Sequence, residues 1–125
     1  MDLFDSTYMS LDSALGAAGL RHQALANNIA NVNTPGFKRS DVQFDGLLAK
    51  ALDQSEASGD SSAIKNLKPA TQMDETTTMR ADGSNVDIDL EMANLAENNV
   101  RYNALVQLAA KKIHMLEYII SDGRK

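Results

Sequence analysis

The sequence predicts a mainly α-helical protein, in which two long terminal helices pack as an elongated coiled-coil-like pair with a short irregular middle region. Three observations predict it. Apolar residues recur at alternating spacings of four and three near both ends of the chain. Gly, Ser, Thr and most of the acidic surplus gather between those ends. Aromatic residues make up only 5% of the 125 residues, which suits helices packed through Leu, Ile, Val and Ala. We expect residues 1–34 to form an N-terminal axial helix and its junction, 35–85 an irregular and partly flexible segment, and 86–125 a C-terminal axial helix. All belong to one structural unit.

The first helix rests on Phe4, Tyr8, Leu11, Leu15, Ala18, His22, Leu25, Ile29 and Val32. That 3.5-residue repeat lasts four heptads, the seam of a coiled coil. Gly16 and Gly19 each weaken the helix by roughly 1 kcal/mol relative to Ala, and leave room for another backbone to approach. The helix must stop near Asn33, because Thr34 precedes Pro35 and a residue before proline avoids the helical region. Pro35-Gly36 then suits the two central positions of a type II turn.

The middle predicts only short elements. Asp41–Phe44 alternates as a strand would. Asp45 caps a short helix through Leu52, with Phe44, Leu48 and Leu52 on one face. Gln54–Ser62 reads by composition as a flexible linker. Thr76–Arg80 reads as a strand before an Asp82-Gly83 turn, which would make a β-hairpin.

The last helix repeats the period at Ile88, Met92, Leu95, Asn99, Tyr102, Val106, Ala109, Ile113, Leu116 and Ile120. Asp87 suits its N-cap and Gly123 its end, with Arg124 and Lys125 at the negative pole of the dipole. At 1.5 Å per residue, helices of about 28 and 34 residues span roughly 42 and 51 Å, too long for a compact globule of this size. The helix-pair seam expected is Leu11, Leu15, Leu25, Ile29 and Val32 against Met92, Leu95, Tyr102, Val106, Ile113, Leu116 and Ile120. A second stripe follows Leu105, Leu108, Met115 and Ile119. Two helices cannot cover both stripes, so the second is expected to face neighbouring subunits. The plainer alternative is a three-helix core closed by the short helix at Asp45–Leu52.

Charge and motifs exclude several functions. The net charge is −5, most of it from residues 41–85, where phosphate recognition would need clustered Lys and Arg; no nucleic-acid partner is expected. With no Cys there is no disulfide, thiol nucleophile or Cys-held zinc. His22 and His114 stand apart without ligand spacing, and Asp82–Asp89 lacks the order of a calcium loop, so no metal and no cofactor are expected. No nucleophile elbow, phosphate loop or catalytic dyad is visible; the chain is not expected to be an enzyme. Asp2 and Asp5 stand where a secretory signal carries basic residues, and no run approaches the 18 or so apolar residues of a membrane span. No cleaved signal and no direct membrane insertion are expected.

Asn27, Asn28, Asn31 and Asn33 crowd the end of the first helix. Asn competes with helical hydrogen bonding, and one cap needs one Asn. The bland explanation is a frayed helix end. The alternative is an amide-rich junction that satisfies backbone groups as the chain leaves the helix. Asn99, on the second seam, would fix register.

The run Leu25-Ala-Asn-Asn-Ile-Ala-Asn-Val-Asn-Thr-Pro-Gly-Phe-Lys38, preceded by Arg21, resembles the N-terminal signature of bacterial flagellar basal-body rod and hook proteins. Its continuation Arg39–Phe44, and Val86–Asn98 followed by Tyr102 and Leu105, are most similar to the proximal rod members of that family. The resemblance covers roughly two thirds of the chain and singles out Arg21, Asn27, Asn28, Ile29, Asn31, Asn33, Thr34, Pro35, Gly36 and Phe37 as the signature junction. It implies a structural subunit of the rod, on the periplasmic side of the basal body, stacked helically through its terminal helices. That subunit would link the base ring to the rest of the rod and transmit torque. The implied partners are other copies of the chain, other rod subunits, the base-ring adaptor protein and the flagellar type III export apparatus. Export would occur without a cleaved signal. Phe44 and Leu48 fit the family's short export-gate pattern, and equally fit one face of a short helix.

Two rival functions remain. A soluble coiled-coil adaptor or export chaperone acting as a discrete dimer would use the same heptads, but has no use for the Asn-rich Pro-Gly junction. A wall hydrolase would need a catalytic carboxylate, for which Asp41, Asp45 and Glu56 are the mid-chain candidates.

Overall fold

A computed structural model describes residues 5–122. The order is α1 (Ser6–Ala30), β1 (Ser40–Val42), α2 (Asp45–Ser58), α3 (Ser62–Lys65), β2 (Thr71–Met73) and α4 (Ile88–Asp122). The most extensive packing is α1 against α4. At 25 and 35 residues the two helices are about 37 and 52 Å long.

Asp5 caps α1, its carboxylate accepting from the Tyr8 N–H at 2.9 Å. The helix ends at Ala30, three residues short of the expected stop. The Asn31 N–H is drawn back to the Asn27 and Asn28 carbonyls, and a turn from Thr34 to Phe37 follows. Gly36 holds φ +69° at its third position, as a type II turn requires. Phe4, Gly123, Arg124 and Lys125 lie outside the described residues.

The middle is more regular than composition predicts. Good helix formers carry α2 past Leu52 to Ser58, through half of the expected linker, until Gly59 ends it at φ +69°. The Ser-Gly-rich run therefore marks a helix end and the start of α3. The strand that pairs with β1 is Thr71–Met73, antiparallel with Ser40 opposite Met73, rather than Thr76–Arg80. Two helices lie between these strands, so they form no hairpin. Thr76 and Thr77 are strand formers by type, but their N–H groups and hydroxyls turn onto the Asp74 carboxylate.

Ala17, Val42 and Phe44 form the central apolar cluster, with Ala14, Leu20, Leu48 and Leu67 packed against it. Leu25, Ile64 and Val86 are also buried. A Cβ built at Gly16 or Gly19 would meet nothing within 4 Å. The close approach within the chain is made by alanines instead.

Candidate functional site: the signature junction and the faces of the last helix

The face of α4 turned to α1 is offset from the expected seam. Glu91, Asn98, Leu105 and Lys112, each seven residues apart, lie on it, with Leu95, Ala109 and Leu116 half-buried alongside. Glu91 meets Asn28, Asn98 Nδ2 donates to the Ala18 carbonyl at 2.9 Å, and Lys112 donates to Asp5 at 2.7 Å. Partners on α1 fall from 28 to 5 as those on α4 rise from 91 to 112, which defines an antiparallel pair registered over roughly 32 Å. Of the seam expected on α4, Met92, Tyr102, Val106, Ile113 and Ile120 are exposed. On α1, Leu25 is fully buried, Leu11, Leu15, Ile29 and Val32 are half-buried, and His22 is exposed. The reason for the offset is chemical: half of the inner positions carry polar side chains, which an apolar period cannot register.

Of the second stripe, Leu105 lines the inner groove near Ala14. Leu108, Met115 and Ile119 are exposed. With Met92, Val106, Ile113, Tyr118 and Ile120 they make the outer surface of α4 largely apolar.

The signature junction is a hydrogen-bonded lock. Asn28 is 0% exposed. Its amide bonds both backbone groups of Ser40, donating to the carbonyl at 2.7 Å and accepting from the N–H at 2.9 Å, as a neighbouring strand would. Its Nδ2 also donates to Glu91 Oε2 at 3.0 Å. Glu91, 0% exposed, takes Arg39 Nε on its other oxygen at 2.5 Å. Arg21 grips Asp41 bidentately at 2.9 and 3.3 Å. Burial by itself would raise the Asp41 carboxyl, but the Arg21 bond, the Val42 N–H and the nearby Arg charges together hold it below the ordinary carboxylate range. The Arg39 guanidinium is pushed up, first by its bond to Glu91.

The other asparagines act locally. Asn31 Nδ2 donates to the Asn27 carbonyl and side chain, and Thr34 Oγ1 donates to Asn31 Oδ1. Asn33 and Pro35 are exposed, and Phe37 is half-buried, its carbonyl accepting from the Asn85 N–H. The Val32 carbonyl accepts from Arg80 at 2.6 Å. The turn at Gly36 lies against the turn at Gly83 (φ +88°): a Cβ built on Gly83 would sit 3.7 Å from the Gly36 Cα. Asn85 is the residue that sequence reasoning missed. It is buried and ties Arg39, Asp74 and Thr77 together. Its position in the irregular chain after the turn at Gly83 gave no periodic signal.

Above this junction a groove of about 610 Å³ runs between α1, the β1–α2 corner and α4. Asp41 and Asp45 at its edge are ion-paired to Arg21 and Arg101. Phe44 is buried and Leu48 half-buried in its wall. Among the described residues, no group of three or more His, Asp or Glu is gathered as metal ligands would be. No described helix is long and apolar enough to cross a membrane.

A helical hairpin locked by an amide junction, with an apolar outer face on its last helix, defines an elongated helical structural protein. The family described as "Flagella basal body rod protein" matches residues 10–38, which are α1 and the junction. The FlgB basal-body rod protein of Bacillus subtilis (strain 168) is 33% identical, over 99% of this chain and 100% of its own length. That of Borrelia hermsii is 35% identical over 96% and 99%, and that of Proteus mirabilis (strain HI4320) 26% over 98% and 99%. The chain belongs to the FlgB family of flagellar basal-body rod proteins, and is a structural component of the rod.

Proposed function

We propose that the chain stacks helically with copies of itself and with other rod subunits, through the outer faces of its terminal helices, to link the base ring to the rest of the rod and transmit torque. The observation that carries this is the apolar outer surface of α4, where Leu108, Met115 and Ile119 stand exposed. Rigid transmission of torque requires broad lateral contacts, and such a stripe offers them at a helical spacing. The base-ring adaptor protein and the flagellar type III export apparatus are its further partners. It leaves the cell by that apparatus. An export gate that reads Phe44 and Leu48 must do so on an unfolded chain, since both pack into the fold. Its role is mechanical and not enzymatic: Asp41 and Asp45 are engaged by arginines.

The test is Leu108→Asp, a charge placed on an exposed site. The variant monomer should keep the helical content of the parent and fail to enter rods, scored by basal-body purification and motility. Assembled, torque-bearing rods containing it would refute packing through this stripe. A discrete dimer in sedimentation, with no larger assembly, would favour an adaptor instead.

A further inference from the structure

Residues 75–84 form a closed loop beside the signature turn, and both ends of the loop are fixed on one residue. The Asp74 N–H donates to the Arg39 carbonyl at 2.9 Å, and the Arg39 N–H donates to Asn85 Oδ1 at 2.6 Å. Asn85 Nδ2 donates to the Asp74 carbonyl at 2.9 Å, which closes the stem. That is the build of an Ω-loop, whose ends meet while its body lies on the surface. The body has little apolar anchorage. Residues 75–82 are exposed, and Met79, the one large apolar side chain among them, is 61% exposed.

Two cations fasten this body to the turn, one from each side. Lys38, at the end of the turn, donates to the Thr77 carbonyl at 2.6 Å and to Thr78 Oγ1 at 3.0 Å. Arg80, in the loop, donates to the Val32 carbonyl at 2.6 Å. The turn has little else to hold it: Asn33–Gly36 are exposed, and Gly36 lies against Gly83. Segments held by a few partly solvated bonds, with little buried apolar surface, are those that open locally.

We propose that residues 75–84 are a clasp on the turn at 33–37, and that clasp and turn open together as one unit while the Arg39 stem and the helix pair stay closed. The inference concerns the single chain and does not rest on the rod-subunit reading. With both loop ends pinned, opening breaks the Lys38 and Arg80 contacts and the bonds inside the loop and turn. The β1–β2 ladder and the Asn28–Glu91–Arg39 lock lie outside the loop and are left whole. The clasp thus makes the signature turn the part of the hairpin that yields first.

Hydrogen exchange of the isolated chain, read amide by amide by NMR, tests this. The reporters are the Thr34 and Phe37 N–H groups in the turn and those of Met79, Arg80 and Gly83 in the loop, all hydrogen-bonded when the clasp is closed. They should share one opening equilibrium that is flat in low urea, since little surface is uncovered, whereas amides in the middle of α1 and α4 should depend on urea. Arg80→Met should speed exchange of all five about fivefold, and Lys38→Met should do the same from the other side. Amides of α1 and α4 should stay within about twofold of the parent, which also certifies that each variant is folded. Arg80→Lys, which keeps the charge, should restore most of the protection. Faster exchange in the loop with an unchanged turn would overturn the coupling. Acceleration shared by α1 and α4, or no change in either Met variant, would overturn the clasp.

Discussion

Arg39→Met should unlock the signature junction. The Glu91 carboxylate has 0% exposure and two side-chain donors, Arg39 Nε on one oxygen and Asn28 Nδ2 on the other. Met preserves the length and apolar stem of Arg but removes the compensating charge. Glu91 is then left away from water with one neutral donor. Breaking one side of a buried pair costs about 3–5 kcal/mol, against a total stability of about 5–15 kcal/mol for an ordinary domain. The contact of Arg39 with Asp41 at 3.5 Å adds less than about 1 kcal/mol, since it is long and partly solvated. For a chain of this size the melting temperature should fall by roughly 12–20 °C. Circular dichroism melts of the isolated protein give the value. The double variant Arg39→Met/Glu91→Met decides the cause, because with neither charge buried most of the loss should return. If the two substitutions add, the damage is lost packing and not an abandoned charge, and the reasoning fails.

Two further outcomes follow from the same geometry. Asp41 and Asp5 are both held below the ordinary carboxylate range: Asp41 against its own burial, chiefly by Arg21, and Asp5 first by Lys112. A carboxyl whose folded pKa is depressed stabilises above its unfolded pKa and loses that contribution as pH falls through the folded value. Stability should therefore be level down to about pH 5 and decline below about pH 4, and Asp41→Asn should flatten that acid limb in urea titrations. Gly16→Ala should raise the stability of the isolated chain by about 0.5–1 kcal/mol, since the added methyl meets open space. If it also blocks rod assembly, a neighbour's backbone uses that site.

The two terminal helices are legible because nine and ten seam positions keep one period over about four heptads each, and nothing in the middle imitates that. What misled was the assumption that the most apolar stripe of α4 faces α1. The inner positions Glu91, Asn98 and Lys112 are polar, and their partners are an amide, a helical carbonyl and a capping carboxylate 63, 80 and 107 residues away. A lone polar residue carries no periodic signal, although the spacing of the three in multiples of seven was present to be read. Excess Asn at the end of α1 did point to a junction. Which Asn mattered did not follow, because Asn28 is singled out only by Ser40 and Glu91 arriving beside it. Asn85, in irregular chain before α4, left no trace. In the middle, Ser and Gly were weighed as linker composition when their positions marked a helix end. The threonines are strand formers by type, but an aspartate two or three residues earlier claims their donors.

These offsets share one physical consequence. An apolar seam is non-directional, so two helices joined only by Leu and Ile can slip by a heptad at modest cost. Three polar pairs spread over roughly 32 Å cannot, because a slip of one turn would strand a buried carboxylate and several amide groups at once. The hairpin therefore fixes its register by hydrogen bonds and charge, while small alanines let the helices approach. Many large apolar side chains of α4, among them Val106, Leu108, Ile113, Ile119 and Ile120, remain outside, on a helix whose register against α1 does not depend on them. In the assembly we propose, neighbours can then bury that outer face without competing for the residues that hold each subunit together. A rod that must stay rigid under load benefits from that separation, because strain at a subunit contact does not pull on the groups that set the fold.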